Sequence, residues 1–169
     1  MCWWDEQVVP RLADAALKGE EIGEVRRVAC APLSGRVLEL GFGGGLLDGQ
    51  RLGVADATYD SVLTTFTLCT IPDPGAALVE VRRVLRPGGV LCFLEHGLSS
   101  AAEVARWQRR LDPVQRRVTG GCHLSRDVPG LVGAAGLSVT DLWAGDLPGA
   151  TVLSRPFLHG FRGTATRLT

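Results

Sequence analysis

The sequence has few of the features that mark nucleic-acid-binding, membrane-spanning or exported proteins. It has a single lysine, Lys18, and its 18 basic residues balance its 18 acidic residues, so the formal net charge is zero. Because such a chain has no long-range field, we expect neither a nucleic-acid partner nor strong attraction to anionic lipid. No apolar run is long enough to cross a bilayer, and the first residues lack an export signal, so we expect a cytoplasmic protein.

The 5 cysteines show neither a metal-binding nor a disulfide pattern. No two of them have the Cys-x-x-Cys spacing, and their number is odd. We therefore expect reduced thiols and no metal site. The cysteines are Cys2, Cys30, Cys69, Cys92 and Cys122.

Short apolar runs alternate with a helical pattern in the first half of the sequence. Val37–Leu40 has no alternating polar residues, which predicts a buried parallel strand. Residues 61–68 are rich in β-branched side chains and predict a second strand, and residues 90–94 predict a third. Between them, Asp73-Pro74 begins a helix that is expected to end at Pro87-Gly88-Gly89. Strand, helix and strand in this order indicate a parallel crossover, and so an α/β fold.

Helical periodicity also marks residues 6–30 and 101–118, and a shorter helix follows Asp127. In 101–118 we expect a buried apolar face, a kink or restart at Asp112-Pro113, and a solvated arginine face. Contact of that arginine face with a lipid surface is a less favoured alternative. Residues 137–143 and 157–164 predict the strands of a closing hairpin. The expected apolar face comprises Val104, Trp107, Leu111, Val114 and Val118, and the arginine face comprises Arg106, Arg109, Arg110, Arg116 and Arg117.

The strongest chemical signal is the run Glu39-Leu40-Gly41-Phe42-Gly43-Gly44-Gly45, which follows directly on the first strand. Glycines there let the backbone approach a ligand at conformations where a Cβ would clash. A dinucleotide fingerprint beginning at Gly41 requires glycine at position 46, where the sequence has Leu46, and the lysine of a phosphate-binding loop is also missing. A flexible glycine turn that binds nothing is the alternative.

This acid-x-Gly-x-Gly-x-Gly run resembles the first motif of class I S-adenosylmethionine-dependent methyltransferases. Residues 56–62 and 80–89 are similar to the type 11 group, which contains the ubiquinone and menaquinone methyltransferases. The resemblance implies a Rossmann-like, doubly wound, mostly parallel sheet and S-adenosyl-L-methionine as the cofactor. It also implies the cofactor-binding residues Glu39, Gly41, Phe42, Gly43, Gly45, Asp48, Leu68 and Cys69.

Residues 68–71, 93–97 and 120–126 are similar to a small-molecule branch of that group. This branch includes thiol methyltransferases and bacterial proteins labelled phosphatidylethanolamine-methyltransferase-like. The resemblance implies methyl transfer to the sulfur, nitrogen or oxygen of a small-molecule or lipid-like acceptor. We expect one methyltransferase-like domain over 1–169, made of an N-terminal helical segment (1–30), a cofactor-binding core (36–96), a helical cap region (97–136) and a closing hairpin (137–169).

The sequence departs from the family after the first strand. Leu46 to Tyr59 is a stretch of 14 residues, and each parallel crossover needs about a dozen or more. We therefore expect the family's strands 2 and 3 to be absent, which leaves the order 1-4-5-7-6 with a C-terminal antiparallel hairpin. The family's ribose-binding acid, at the end of strand 2, is lost with them. The exposed edge of the first strand is expected to cause self-association.

Methyl transfer is an in-line displacement in which placement of the nucleophile contributes most, and a base helps when the acceptor arrives protonated. The candidate catalytic residues are His96, Glu95 and His123. The alternatives are a structural Glu95–His96 pair and a His123 that serves packing. Two functions remain open: a working methyltransferase, or a non-catalytic remnant or binding protein with weak or no affinity for the methyl donor.

Overall fold

The computed structural model of the chain describes residues 20–41 and 49–169. Elements are numbered in chain order. The helices are α1 (Glu20–Cys30), α2 (Pro74–Val84), α3 (Ala102–Val118), α4 (Val128–Ala134) and α5 (Arg155–Leu158). The strands are β1 (Val37–Gly41), β2 (Tyr59–Thr65), β3 (Leu85–His96), β4 (Leu137–Asp146) and β5 (His159–Arg167).

The strands form one sheet in the order β1-β2-β3-β5-β4. β1, β2 and β3 pair in parallel, whereas β5 runs antiparallel to both β3 and β4. In the family's numbering this order is 1-4-5-7-6, and within the described residues no strand lies between β1 and β2. The expected α/β, Rossmann-like and mostly parallel sheet with a C-terminal antiparallel hairpin is therefore confirmed.

Residues 42–58 connect the end of β1 to the start of β2, and two side chains of α2 hold the described part of this connection. Glu80 accepts a hydrogen bond from the Leu52 amide at 2.8 Å. Arg83 donates to the carbonyl oxygens of Leu52 at 2.9 Å and Val54 at 2.8 Å, and its ion pair with Glu80 lowers the pKa of that carboxyl. Because loop backbone groups need partners when they are taken from water, these two side chains fix the shortened connection.

α2 begins as its sequence predicts and ends earlier. The Asp73 side chain accepts a hydrogen bond from the Ala76 amide at 2.9 Å, which confirms the predicted N-cap. The predicted end at Pro87-Gly88-Gly89 is wrong, because the helix stops at Val84 and Leu85 is already extended, with ψ of 140°. The Pro-Gly-Gly turn instead lies inside the first part of β3, where its pairing with β2 is irregular.

Other predicted elements are present with shifted ends. β2 was expected over residues 61–68, but it stops at Thr65 because Phe66 adopts a left-handed φ of 49°. The two strands of the closing hairpin each extend three residues beyond the predicted ends at 143 and 164. The helix predicted over residues 6–30 is observed as α1 from Glu20, and its earlier part lies outside the described residues.

The prediction for α3 is wrong for the centre of its buried face, which is largely polar, whereas the predicted arginine face is exposed. The buried residues are Ala105, Gln108 and Asp112, whereas Trp107 is 55% exposed and Val114 is 58% exposed. The helix also runs through Pro113 without the predicted restart. An amphipathic pattern assumes that apolar side chains are the buried ones, and this helix is packed by hydrogen-bonding side chains instead.

The buried polar side chains of α3 hold the segments that follow β3. Gln108 accepts a hydrogen bond from the Ser99 amide and donates to the Gly97 carbonyl, each at 2.8 Å. Asp112 accepts from the amides of Leu124 at 2.6 Å and Ser125 at 3.0 Å. α3 therefore positions two loops at one end of the sheet.

β1 lies at the edge of the sheet that the described residues form. Val37 is 42% exposed, Glu39 and Gly41 are also exposed, and Leu40 is the buried member of the strand. The prediction of a parallel strand is confirmed, and that of a buried strand holds for Leu40 alone. Self-association through this edge stays a prediction.

None of the helices in the described part of the chain combines the length and the apolar character that a membrane span needs.

Phe93 and Gly163 are partners across β3 and β5, and their contact generates a stability prediction. Phe93 is fully buried, and a Cβ at Gly163 would lie 2.7 Å from Cζ of its ring and would also contact the Asp141 carbonyl oxygen. We expect Gly163→Ala to lower the free energy of unfolding by about 1–3 kcal/mol, because the packed core cannot take the added methyl group. Urea denaturation measures this change.

Gly23→Ala is the matched control, because a Cβ at this exposed position in α1 meets nothing within 4 Å. It should leave stability unchanged or raise it by up to about 1 kcal/mol, since alanine is the better helix former. Equal losses in the two variants would contradict the close packing of Phe93 on β5.

Candidate active site

The parallel strands β1, β2 and β3 have their carboxyl ends at the same end of the sheet. α/β proteins of this type bind ligands there. The pairing sets Gly41 beside Thr65, and Thr65 beside Leu94. The segment that follows β2 crosses the end of β1, where the Thr67 hydroxyl donates to the Leu40 carbonyl at 3.0 Å. Residues from all three strand ends therefore meet there.

The structure describes four of the predicted cofactor-binding residues. Glu39 and Gly41 are exposed on β1, and a Cβ built on Gly41 would meet no described residue within 4 Å. Among the described residues, the space beside the strand end is therefore open, which fits a ligand that passes close to the backbone. Leu68 and Cys69 are buried, with 0% and 1% exposure. The other four predicted residues, Phe42, Gly43, Gly45 and Asp48, lie outside the described residues.

Glu95 is a completely buried carboxyl group that fixes the segment after β2. Its Oε1 accepts a hydrogen bond from the Thr67 amide at 3.1 Å. Burial raises the pKa of Glu95 to about 7, although the amides of Thr67 and Leu68 act in the opposite direction. Since the group has no exposed surface, its observed role is to hold the site together.

His96 ends β3 and lies beside two cysteines. Its Nε2 is 3.1 Å from Sγ of Cys122, and one donor atom each from Cys69, His96 and Cys122 lies within 4.8 Å of the others. The hydrogen bond with Cys69 and burial raise the pKa of the Cys122 thiol. Burial lowers the pKa of His96, but the hydrogen bond and charge of Cys122 and the charge of Glu95 outweigh it, so the pKa is raised on balance. Thiol and imidazole groups of this kind can hold a soft metal ion.

His123 is paired with a carboxylate of α3. Its Nδ1 lies 3.4 Å from Oδ2 of Asp112, and its amide donates to the Cys69 carbonyl at 2.8 Å. Burial, followed by the charge of Arg126, lowers the pKa of His123 and so favours its neutral ring. These contacts agree with the packing alternative for this residue.

Two residues that hold the site were not among the predicted site residues. The Arg126 guanidinium donates to the carbonyl of Leu68 and, at 2.8 Å, to that of Ile71, which ties the loop after α3 to the segment after β2. Gln108 holds the residues directly after His96. The sequence stretches 68–71 and 120–126 both resemble the family, but nothing in their spacing shows that they touch.

Comparisons with known proteins agree with this geometry. Residues 38–93 match the profile of the type 11 family described as a methyltransferase domain. The rat thiol S-methyltransferase TMT1B is 41% identical over 75 residues, which cover 44% of this chain and 31% of that protein. The human thiol S-methyltransferase TMT1A is 37% identical over 112 residues, which cover 64% of this chain and 45% of that protein.

A solved SAM-dependent methyltransferase from Thermotoga maritima has the same fold. It aligns with a TM-score of 0.67 at 18% identity, over 97% of this chain and 98% of that one. Residues 38–93 therefore carry a type 11 methyltransferase domain, within a chain that has the fold of the class I methyltransferases. The predicted family, fold and S-adenosylmethionine cofactor are thereby confirmed. The chain spans 31% and 45% of the rat and human relatives it matches, so the acceptors in their names belong to those proteins.

The buried Glu95 generates a prediction about pH. Its folded-state pKa of about 7 lies above the ordinary value of 4.5, so the stability that the protonated form contributes is complete below pH 4.5 and is lost as the pH rises through 7. Relative to Glu95→Gln, the wild type should lose about 2–3 kcal/mol of unfolding free energy between pH 5 and pH 8. Urea denaturation at both pH values, with a chelator present, measures this difference.

Glu103→Gln is the control, because the Glu103 side chain is 88% exposed on α3. Its difference from the wild type should not change between the two pH values. If the difference in unfolding free energy between Glu95→Gln and the wild type is also the same at both pH values, the pKa of Glu95 in the folded protein is an ordinary one.

Proposed function

We propose that this chain binds S-adenosylmethionine at the common end of β1, β2 and β3 and transfers its methyl group to the sulfur of a small thiol. The observation that carries the proposal is the site at this edge, where the open space beside Gly41 and the half-buried His96 stand at the ends of β1 and β3. The names of the rat and human relatives support sulfur as the accepting atom.

The cofactor supplies an activated methyl group on a sulfonium, so the protein has to position the acceptor and favour its ionised form. The backbone at the end of β1 holds the donor, with Gly41 leaving it room. His96 is the best placed of the three candidate catalytic residues, because Glu95 is buried against Thr67 and His123 is paired with Asp112. In the metal-free chain, a proton on His96 favours the thiolate form of an acceptor beside it.

Donor binding tests the first half of the proposal. We expect Gly41→Val to weaken binding of S-adenosylhomocysteine by about tenfold or more, because the side chain occupies the space beside the strand end. Gly53→Val is the matched control, since Gly53 is exposed and a Cβ there also meets nothing within 4 Å. Isothermal titration calorimetry on the wild type and both variants gives the comparison.

Absence of donor binding by the wild type would favour the alternative of a non-catalytic remnant. Equal binding by the wild type and Gly41→Val would place the donor elsewhere. Because the family's ribose-binding acid is missing, we expect the wild-type affinity to be about ten- to a hundredfold below that of a complete family member.

Acceptor choice tests the second half. With a donor carrying a labelled methyl group, 2-mercaptoethanol should be methylated and ethanolamine should not, because the two differ in the accepting atom. His96→Asn should slow the thiol reaction by about a hundredfold while donor binding stays intact. Transfer to the amine would contradict the thiol acceptor. An unchanged rate of thiol methylation in His96→Asn would contradict the role of His96.

A further inference from the structure

Cys69, His96 and Cys122 belong to separate parts of the chain and converge at one point. Cys69 follows β2, His96 is the last residue of β3, and Cys122 lies in the loop after α3. One donor atom of each lies within 4.8 Å of the other two. Cys69 is 1% exposed and Cys122 is 7% exposed, while His96 is half-buried.

We propose that Cys69, His96 and Cys122 form a binding site for a zinc ion. Two thiolates and one imidazole are a donor set that zinc prefers, and three protein ligands leave a fourth coordination position open. With zinc–sulfur bonds of about 2.3 Å and tetrahedral angles, two sulfur ligands lie about 3.8 Å apart. Distances within 4.8 Å, including 3.1 Å from Nε2 of His96 to Sγ of Cys122, reach that geometry through small side-chain movements.

The charge of the donor set also suits zinc. Two thiolates neutralise a divalent cation, so the loaded site would place no net charge among the buried residues around it. A carboxylate-rich site would instead favour magnesium or calcium. The class of ion follows from the thiols.

The backbone around the three donors is held in place by groups that do not contact the proposed ion. The His123 amide donates to the Cys69 carbonyl at 2.8 Å, which ties the two cysteine-bearing segments together. Arg126 donates to the carbonyls of Leu68 and Ile71, and Asp112 accepts from the Leu124 amide at 2.6 Å. Such support lets three donors from distant parts of the sequence stay close enough to bind one ion.

Metal titration of the reduced, metal-free chain tests this site without any methyl donor. Zinc should bind with one ion per chain in competition with a chromophoric chelator, and Co²⁺ in its place should show thiolate charge-transfer absorption and intense tetrahedral bands. Cys69→Ser, Cys122→Ser and His96→Asn should each weaken zinc binding by roughly a hundredfold or more. Cys30→Ser is the matched control, because Cys30 is half-buried in α1, outside the cluster, and should bind zinc as the wild type does.

A second measurement uses the wild type, so it does not depend on whether the variants fold. Because Cys69 and Cys122 are buried, their alkylation requires local opening of the site, and zinc should slow it, as read by peptide mass spectrometry, while Cys30 stays equally reactive. Zinc should also raise the melting temperature of the wild type, since binding to the folded state stabilises it. The proposal is overturned by an absence of stoichiometric zinc binding, by zinc binding that survives both cysteine substitutions, or by alkylation of Cys69 and Cys122 at the same rate with and without zinc.

Discussion

The rest of the structure depends on how the chain passes from β1 to β2. Parallel strands require the chain to return from one edge of the sheet to the other before the second strand begins, and a helix normally makes that return. Here the connection comprises residues 42–58, and its described part, from residue 49, lies on α2 through hydrogen bonds to Glu80 and Arg83. With this connection held, β1 pairs with β2 in register, and the ends of the three parallel strands meet at one edge.

Buried polar groups also organise these strand ends, beside the buried apolar residues Leu40 and Leu68. Glu95 binds the segment after β2, Gln108 binds the residues after β3, and Asp112 binds the loop after α3. Each of these carboxyl or amide groups loses water on folding and accepts backbone hydrogen bonds in return, while Oε2 of Glu95 has no partner among the described residues. Because only a few hydrogen bonds hold the backbone of the site, the loss of any one of them is expected to shift the residues that it positions.

The sequence predicts the parts of this fold that follow local rules. Apolar runs, the Asp73-Pro74 cap and the family resemblance together predict the strands, the α2 start and the strand order. They fail at α3, because a periodic pattern cannot show that Gln108 and Asp112 have hydrogen-bond partners in distant loops. They also miss the cluster around His96, since His96 and Cys122 are 26 residues apart and only the sheet and its loops bring them together.

The polar packing of α3 has a consequence for which substitutions each of its two sides tolerates. The inner side carries few side chains, and each is committed to a defined partner, so the fold itself restricts what can replace them. The outer side carries Trp107 and Val114, which the sheet does not use, and Arg110 lies over the Trp107 ring at 5.6 Å from its centroid. Substitutions on the inner side are therefore expected to destabilise the fold, whereas substitutions on the outer side change only the surface that the protein presents to its surroundings.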